Sequence, residues 1–262
     1  MSVNLNWIRG LSIAGLTTAR TAGDMLRDMR LSAVVTEQRG PDFTTNADLA
    51  SEQVIIGLLR ATDPSIPAYS EEKRGEIPKT GLVWIVDPLD GTHNYLHGCG
   101  LYGVSIALLQ DGVSIMGVVY FPETGGLYQG HSGFFSGFQT TGHIAVSGET
   151  DLKKSVVWTD WSKQPAENTL AILERLRQCS TYPTMPMCAT QGLIMVATGK
   201  IQAYIHPQPA IEDHAAAGLL IQLAGGKVTD IKGNPWTPFS TSIMATNGHI
   251  HEELLETLRN VV

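Results

Sequence analysis

The sequence predicts a mixed α/β protein, and three observations carry that expectation. Apolar and small residues recur at helical steps of three and four from Ile8 to Met29. The apolar run Leu82-Val83-Trp84-Ile85-Val86 has the length of a strand buried on both faces. Beyond about residue 150, strand-like and helix-like stretches alternate. At 262 residues the chain is long for one compact core. It fits either one large domain or two halves that share an interface.

The N-terminal helix is drawn by a stripe of Ile8, Leu11, Gly15, Ala19, Ala22, Leu26 and Met29. Gly15 weakens it, since a mid-helix glycine costs about 1 kcal/mol relative to alanine. With Ala19 and Ala22 it also leaves room for another element to approach closely. A loop broken at Gly40-Pro41-Asp42 follows. A second helix is expected from near Asp48, turning Ile55, Leu58 and Leu59 inward and ending before Asp63-Pro64.

The run at 82–86 stops in Asp87-Pro88-Leu89-Asp90-Gly91-Thr92. Strands are then expected over Val104 to Leu109 and Ser114 to Tyr120, joined by the hairpin dipeptide Asp111-Gly112. In the second half the expected strands are Val156 to Trp158, Ile201 to Ile205, Val228 to Ile231 and Ile243 to Ala245. The expected helices are Ala166 to Gln178, Leu193 to Thr198, one opening at Asp213 and stopped by Gly225-Gly226, and Glu252 to Leu258. The boundary between halves falls near Gly142 to Thr150, giving 1–145 and 146–262 within one compact unit.

Hydrophobic residues make up 43% and charged residues 16%, as in an ordinary globular protein. Net charge is -7 and the basic residues form no run, which excludes a nucleic-acid groove or an anionic membrane surface as partner. An anionic substrate would need its charge neutralised by something other than surface lysines, and a divalent metal is the natural candidate. Three widely spaced cysteines, Cys99, Cys179 and Cys188, fit a reducing cytoplasm better than a disulfide framework. The N terminus carries polar residues where a signal peptide needs an apolar run, and no window has the length of a membrane span.

The chemistry concentrates at Asp87 and Asp90. A buried strand delivers both into a turn that Pro88 stiffens and Gly91 frees. Two carboxylates in a dry cleft repel one another unless cations lie between them. Hard oxygen ligands of this kind suit Mg²⁺. The amides of Gly91 and Thr92, at a helix start, are placed to receive a phosphate. Read alone, the same loop also fits carboxylates that only cap turns. His97 and Cys99 read as a structural histidine and a small buried thiol, because hard Mg²⁺ does not seek imidazole or thiolate. Met185, Met187 and Met195 read as packing residues. Glu72 is open between a partner of the site and a solvated neighbour of Lys73 and Arg74.

The stretch Trp84-Ile85-Val86-Asp87-Pro88-Leu89-Asp90-Gly91-Thr92-His93-Asn94-Tyr95 resembles the W-x-x-D-P-[IL]-D-G-T-x-N-[FY] signature of the inositol monophosphatase family. Thr44-Thr45-Asn46-Ala47-Asp48, Ser70-Glu71-Glu72 and Glu212-Asp213-His214-Ala215-Ala216-Ala217-Gly218 resemble further segments of that family in the same order. The resemblance spans about residues 5 to 260. It implies a layered α-β-α-β-α sandwich of the inositol monophosphatase and fructose-1,6-bisphosphatase type, a homodimer, and lithium-sensitive hydrolysis of a small phosphorylated metabolite.

It further implies two or three Mg²⁺ ions. Glu71, Asp87 and the Leu89 carbonyl would hold one, and Asp87, Asp90 and Asp213 a second. A third would lean on Glu71 and water. Asp48 and Thr92, with Glu71, would activate the attacking water. Gly91 and Thr92 would grip phosphate, and Asp90, His93, Ala189, His206 and Asp213 would complete the substrate pocket.

Three departures from the family pattern touch the substrate rather than the metal. His206 stands where a glutamate contacts sugar hydroxyls, Glu212 replaces a tryptophan, and Met187-Cys188-Ala189 replaces G-T-A. Histidinol-phosphate, fructose-1,6-bisphosphate and 3′(2′),5′-bisphosphate nucleotide phosphatases are the rival enzymes. Nucleotidases usually read D-G-T-K-[DE], against His93-Asn94 in this chain. A non-catalytic regulator on the same fold would be expected to lack a metal carboxylate, and none is missing.

Overall fold

The structure is a computed structural model that describes residues 5–39, 42–72, 75–132, 144–160, 166–180, 183–259 and 261. The N-terminal stripe forms α1 (Leu5–Met29), and Gly15 seats Met116 and Val118 of a facing strand against its backbone. The loop expected next contains two short strands, β1 (Val35–Arg39) and β2 (Asp42–Thr45), paired antiparallel. Residues 40 and 41 lie outside the described residues.

α2 (Asn46–Thr62) starts two residues earlier than expected because Thr45 caps it. The Thr45 hydroxyl accepts from Ala47 N and Asp48 N, while the Asp48 carboxylate accepts from Thr45 N. Ile55 and Leu59 face inward as expected, but Leu58 does not. It is 39% exposed, and Ile56 fills the core in its place.

β3 (Ala68–Ser70), β4 (Leu82–Asp90), β5 (Gly103–Gln110), β6 (Val113–Phe121) and β7 (Gly126–His131) form a five-stranded sheet in that order. β3 and β7 have no counterpart among the expected strands. The single-turn helix α3 (Thr92–Leu96) follows β4 directly. Asp111 and Gly112, both at positive φ, turn the β5–β6 hairpin.

The second half supplies β8 (Val157–Thr159), α4 (Ala166–Cys179), α5 (Ala189–Ala197), β9 (Ala203–His206), α6 (Ile211–Leu223), β10 (Lys227–Thr229), β11 (Ile243–Thr246) and α7 (His251–Leu258). Its four strands run in the order β10-β11-β9-β8. α5 begins four residues before its expected start.

Alternation along β4 shows how the layers are built. Trp84 and Val86 pack with Leu11, Leu26, Ile55 and Leu59 of α1 and α2. Val83 and Ile85 pack on the other face, with Ala215, Ala216, Leu220 and Ile221 of α6 and Leu193 and Ile194 of α5. Tyr204 and Ala245 of the second sheet join this inner core, while Ile205 and Met244 face Ile172, Leu176, Leu254 and Leu258 of α4 and α7. The result is a helix–sheet–helix–sheet–helix sandwich. The α6 backbone at Ala216 lies so close to Gly117 that a Cβ there would sit 2.6 Å from its carbonyl oxygen. That contact fixes the middle of α6 against the first sheet.

Cys99 is not buried, contrary to expectation; it and His97 lie on the surface just after α3. Among the described residues no helix is long and apolar enough to cross a membrane.

Candidate active site

In a pleated strand, residues three apart point to opposite faces. Asp87 and Asp90 share a face because β4 takes in one extra residue between them. Asp87 pairs with Ser105 and Asp90 with Gly103, so three steps along β4 match two along β5. Pro88 sits in this bulge, where its missing N–H interrupts no ladder bond. Ser51 Oγ donates to its carbonyl at 2.7 Å, and Leu89 N donates to Asp87 Oδ1 at 2.9 Å.

Gly91 then takes φ 85° as the residue before α3. A Cβ there would stand 2.6 Å from the Leu101 carbonyl oxygen and 3.2 Å from Cys188 Cβ, so conformation and space both demand glycine. Asn94, three residues on, reaches no ligand space. Its side-chain amide donates to the carbonyls of Pro186 (2.9 Å), Met187 (3.1 Å) and Leu101 (3.0 Å), tying the opposite wall to the turn.

An open cleft of about 300 Å³ lies over this turn. Of the residues expected to form the site, Glu71, Asp87, Leu89, Asp90, Gly91, Thr92, His93, Ala189, His206 and Asp213 all line it. Asp48 is buried alongside. Thr92 Oγ1 donates to Asp48 Oδ1 at 3.0 Å and lies 3.1 Å from the Leu89 carbonyl oxygen. Asp48 Oδ2 accepts from Thr45 N (2.9 Å) and Thr45 Oγ1 (2.5 Å). Burial raises the pKa of Asp48 above the ordinary carboxylate value, against the lowering effect of these bonds.

Sequence reasoning missed three lining residues, Asp42, Phe43 and Asp160, and reached Met187 and Cys188 only as the counterpart of the family's G-T-A stretch. Asp42 and Phe43 come from the unexpected strand β2, and the Phe43 ring lies 4.7 Å from that of His93. Asp160 follows β8 and accepts from the Tyr204 hydroxyl at 3.2 Å. An acidic residue just past a predicted strand was the available signal. Met187, read as packing, is 44% exposed, lines the cleft and has a left-handed backbone at φ 54°. Cys188 is buried, and its thiol points at Asp90 Oδ2 from 3.2 Å.

Glu72 lines no part of the cleft but accepts from Thr44 Oγ1 at 3.1 Å, which links the segment after β3 to β2. His214 turns away from the cleft and accepts from Trp236 Nε1 at 3.0 Å. Burial holds its pKa down to about 3, so it stays neutral.

Asp42, Glu71, Asp87, Asp90, Asp160 and Asp213 put six carboxylates around one cleft, and no Lys or Arg is among the described residues that line it. Burial, then Glu71, Asp90 and Asp213, pushes the pKa of Asp87 well up. Burial, then Glu212, Asp90 and Glu71, does the same to Asp213. Glu212 is itself buried behind the cleft, and its carbonyl accepts from Ser105 Oγ at 3.2 Å.

Among the described residues no three His, Cys, Asp or Glu side chains already stand close enough together to clasp an ion. Even so, the carboxylates and the Leu89 carbonyl make an oxygen donor set that is strongly anionic. That fits a hard divalent cation such as Mg²⁺.

Residues 9–262 match the model of the inositol monophosphatase family. A probable inositol 1-monophosphatase ImpA of Mycobacterium tuberculosis is 33% identical over 238 residues, covering 86% of this chain and 84% of that protein. A putative Nus factor SuhB of Neisseria meningitidis is 31% identical, covering 91% and 94%. The crystal structure of extragenic suppressor protein suhB from Bartonella henselae superposes with a TM-score of 0.89 at 28% identity, covering 96% of this chain and 99% of that one. With its signature turn, its layered sandwich and a match running almost from end to end, this chain belongs to the inositol monophosphatase family.

Proposed function

We propose that the chain is a Mg²⁺-dependent phosphomonoesterase that hydrolyses a small inositol-phosphate-like polyol or sugar phosphate with water as the direct nucleophile. The gathering of six carboxylates around a cleft with no lining Lys or Arg among the described residues carries this reading. Glu71, Asp87, the Leu89 carbonyl, Asp90 and Asp213 would hold two or three Mg²⁺. When bound, the ions neutralise phosphoryl charge and make a coordinated water more acidic.

The chain's own residues handle the proton. Thr92 Oγ1 gives its hydrogen to Asp48, which leaves an oxygen lone pair to accept from the attacking water. As the water oxygen bonds to phosphorus and the ester P–O bond breaks, the water proton passes to the Thr92–Asp48 pair and the departing alkoxide takes a proton from solvent water. The raised pKa of Asp48 suits it to receive that proton. The amides of Gly91 and Thr92 bind phosphate oxygens. No nucleophilic Ser or Cys is needed, because phosphoryl transfer depends on positioning and charge stabilisation.

The alcohol end meets Phe43, His93, Met187, Ala189 and His206. Gln208 N donates to His206 Nδ1 at 3.1 Å, so neutral His206 carries its proton on Nε2 and acts as a donor. A donor there suits a substrate with an acceptor or a second anionic group, as the bisphosphate and histidinol-phosphate alternatives would offer. The relatives named Nus factor SuhB favour a second reading, as a regulator that binds another macromolecule. The intact acid cluster supports catalysis over it.

The test is phosphate release from a panel of phosphate esters, with Mg²⁺ and with EDTA, ranked by kcat/KM. EDTA-sensitive release is expected, and a folded chain that releases none from any ester sinks the catalytic reading. Loss of rate at millimolar Li⁺ and a dimer by light scattering are expected from the family.

A further inference from the structure

Thr190 lies outside the signature motifs, yet its hydroxyl makes one of the shortest contacts in the cleft wall. The residue is fully buried in the first turn of α5. Its Oγ1 donates to Asp90 Oδ2 at 2.5 Å, and its backbone N–H donates to the same oxygen at 2.7 Å. The Cys188 thiol approaches that oxygen too, at 3.2 Å. By contrast, Oδ1 receives only a long bond of 3.3 Å from Ala189 N. A carboxylate oxygen has two lone-pair directions, so three donors saturate Oδ2 and leave Oδ1 largely unused.

We propose that Thr190 is a positioning residue for the cation site. Its hydroxyl locks the Asp90 carboxylate so that Oδ1 alone is offered to the cleft, which favours Mg²⁺ over Ca²⁺. The inference rests on the reading of the cleft as a Mg²⁺ site.

The selectivity follows from coordination chemistry. Mg²⁺ demands near-octahedral geometry and takes carboxylates through single oxygens, whereas Ca²⁺ accepts either one or both oxygens in a looser shell. A carboxylate whose second oxygen is already engaged cannot swing round to bite with both. Without the Thr190 hydroxyl, Oδ2 keeps only the Thr190 N–H and the Cys188 thiol, so the carboxylate is held less firmly and the preference for the smaller ion weakens. Removing a group that orients a metal ligand typically costs about 10–100-fold in affinity.

Calorimetric titration of Mg²⁺ and of Ca²⁺ into the metal-free full chain, with no phosphate ester present, tests this. For Thr190→Val the Mg²⁺ Kd is expected to rise about tenfold and the Ca²⁺ Kd by less than about threefold. Thr190→Ser is expected to keep the wild-type ratio. In the Thr190→Val background, Cys188→Thr is expected to restore it by presenting a hydroxyl to the same oxygen. Thr190→Ala supplies the same reading should the valine variant fail to fold.

An unchanged Mg²⁺/Ca²⁺ ratio in the valine or alanine variant overturns the proposal, whether both affinities fall together or neither moves. A serine variant that loses the ratio also overturns it. A wild-type chain that binds no Mg²⁺ overturns this inference and the proposed function together, an outcome distinct from the others.

Discussion

Asp87 and His251 are both buried titratable side chains, and their surroundings differ in kind. His251 sits between the hydroxyls of Thr229 (3.2 Å) and Thr246 (2.9 Å), where neutral partners satisfy both ring nitrogens. Burial, reinforced by Lys227, holds its pKa down to about 4, with nearby Glu252 acting in opposition. Asp87 is buried among Glu71, Asp90, Asp213 and Glu212, all of its own sign. The first arrangement is complete without help and serves stability. The second stays electrostatically frustrated until a cation arrives, as expected of a site that spends stability on function.

The largest expected effect is Asp87→Asn. Losing one charge of the proposed metal site should cut kcat about 10³-fold, equivalent to about 4 kcal/mol of transition-state stabilisation. The same change should raise the melting temperature of the metal-free protein at pH 8 by removing one of several like charges. A lower melting temperature in that variant would break the contrast drawn with His251.

Thr92→Val removes the hydroxyl that donates to Asp48 and that the proposed mechanism sets against the attacking water. Turnover should fall about 10²-fold with melting nearly unchanged, as measured by initial rates and calorimetry.

The two regions also predict opposite pH responses. A histidine with depressed pKa contributes stability that is fully present above about pH 6.5 and lost as pH falls toward about 4, by about 1.4 kcal/mol per unit in that window. His251→Gln should abolish that acid-side slope relative to wild type. Carboxylates with raised pKa act in reverse. Their contribution is present below the ordinary value of 3.8 and is lost as pH rises through the raised folded value. Metal-free melts should therefore fall with rising pH, and saturating Mg²⁺ should flatten that fall.

The smallest effect is His206→Glu at the rim. Exchanging a donor for an acceptor should shift relative kcat/KM toward inositol monophosphate by about tenfold, near 1.4 kcal/mol. An unchanged ranking across the ester panel would show that His206 does not choose the substrate.

What could be read directly was whatever is contiguous in the chain. Asp87 to Tyr95 places two carboxylates, a glycine, a hydroxyl and the tethering Asn94 in one stretch, so the turn was legible as a unit. The strand before it was legible because both of its faces are apolar. Helix phase was harder: Ile56 and Leu58 lie on opposite edges of the α2 stripe that Ile55 and Leu59 define, and only packing decides which edge turns inward.

By itself, the sequence determined the mixed architecture, the signature turn and the acids it gathers, since these follow from local periodicity and residue type. Only the tertiary structure decided that a bulge in β4 turns Asp87 and Asp90 to one face, and that the first turn of α5 holds Asp90. It alone brought Asp42, Phe43 and Asp160 to the cleft. The physical reason is distance along the chain. Thr190 and Asp90 are 100 residues apart, and no local pattern encodes a bond that exists only once the two sheets close on the helices between them.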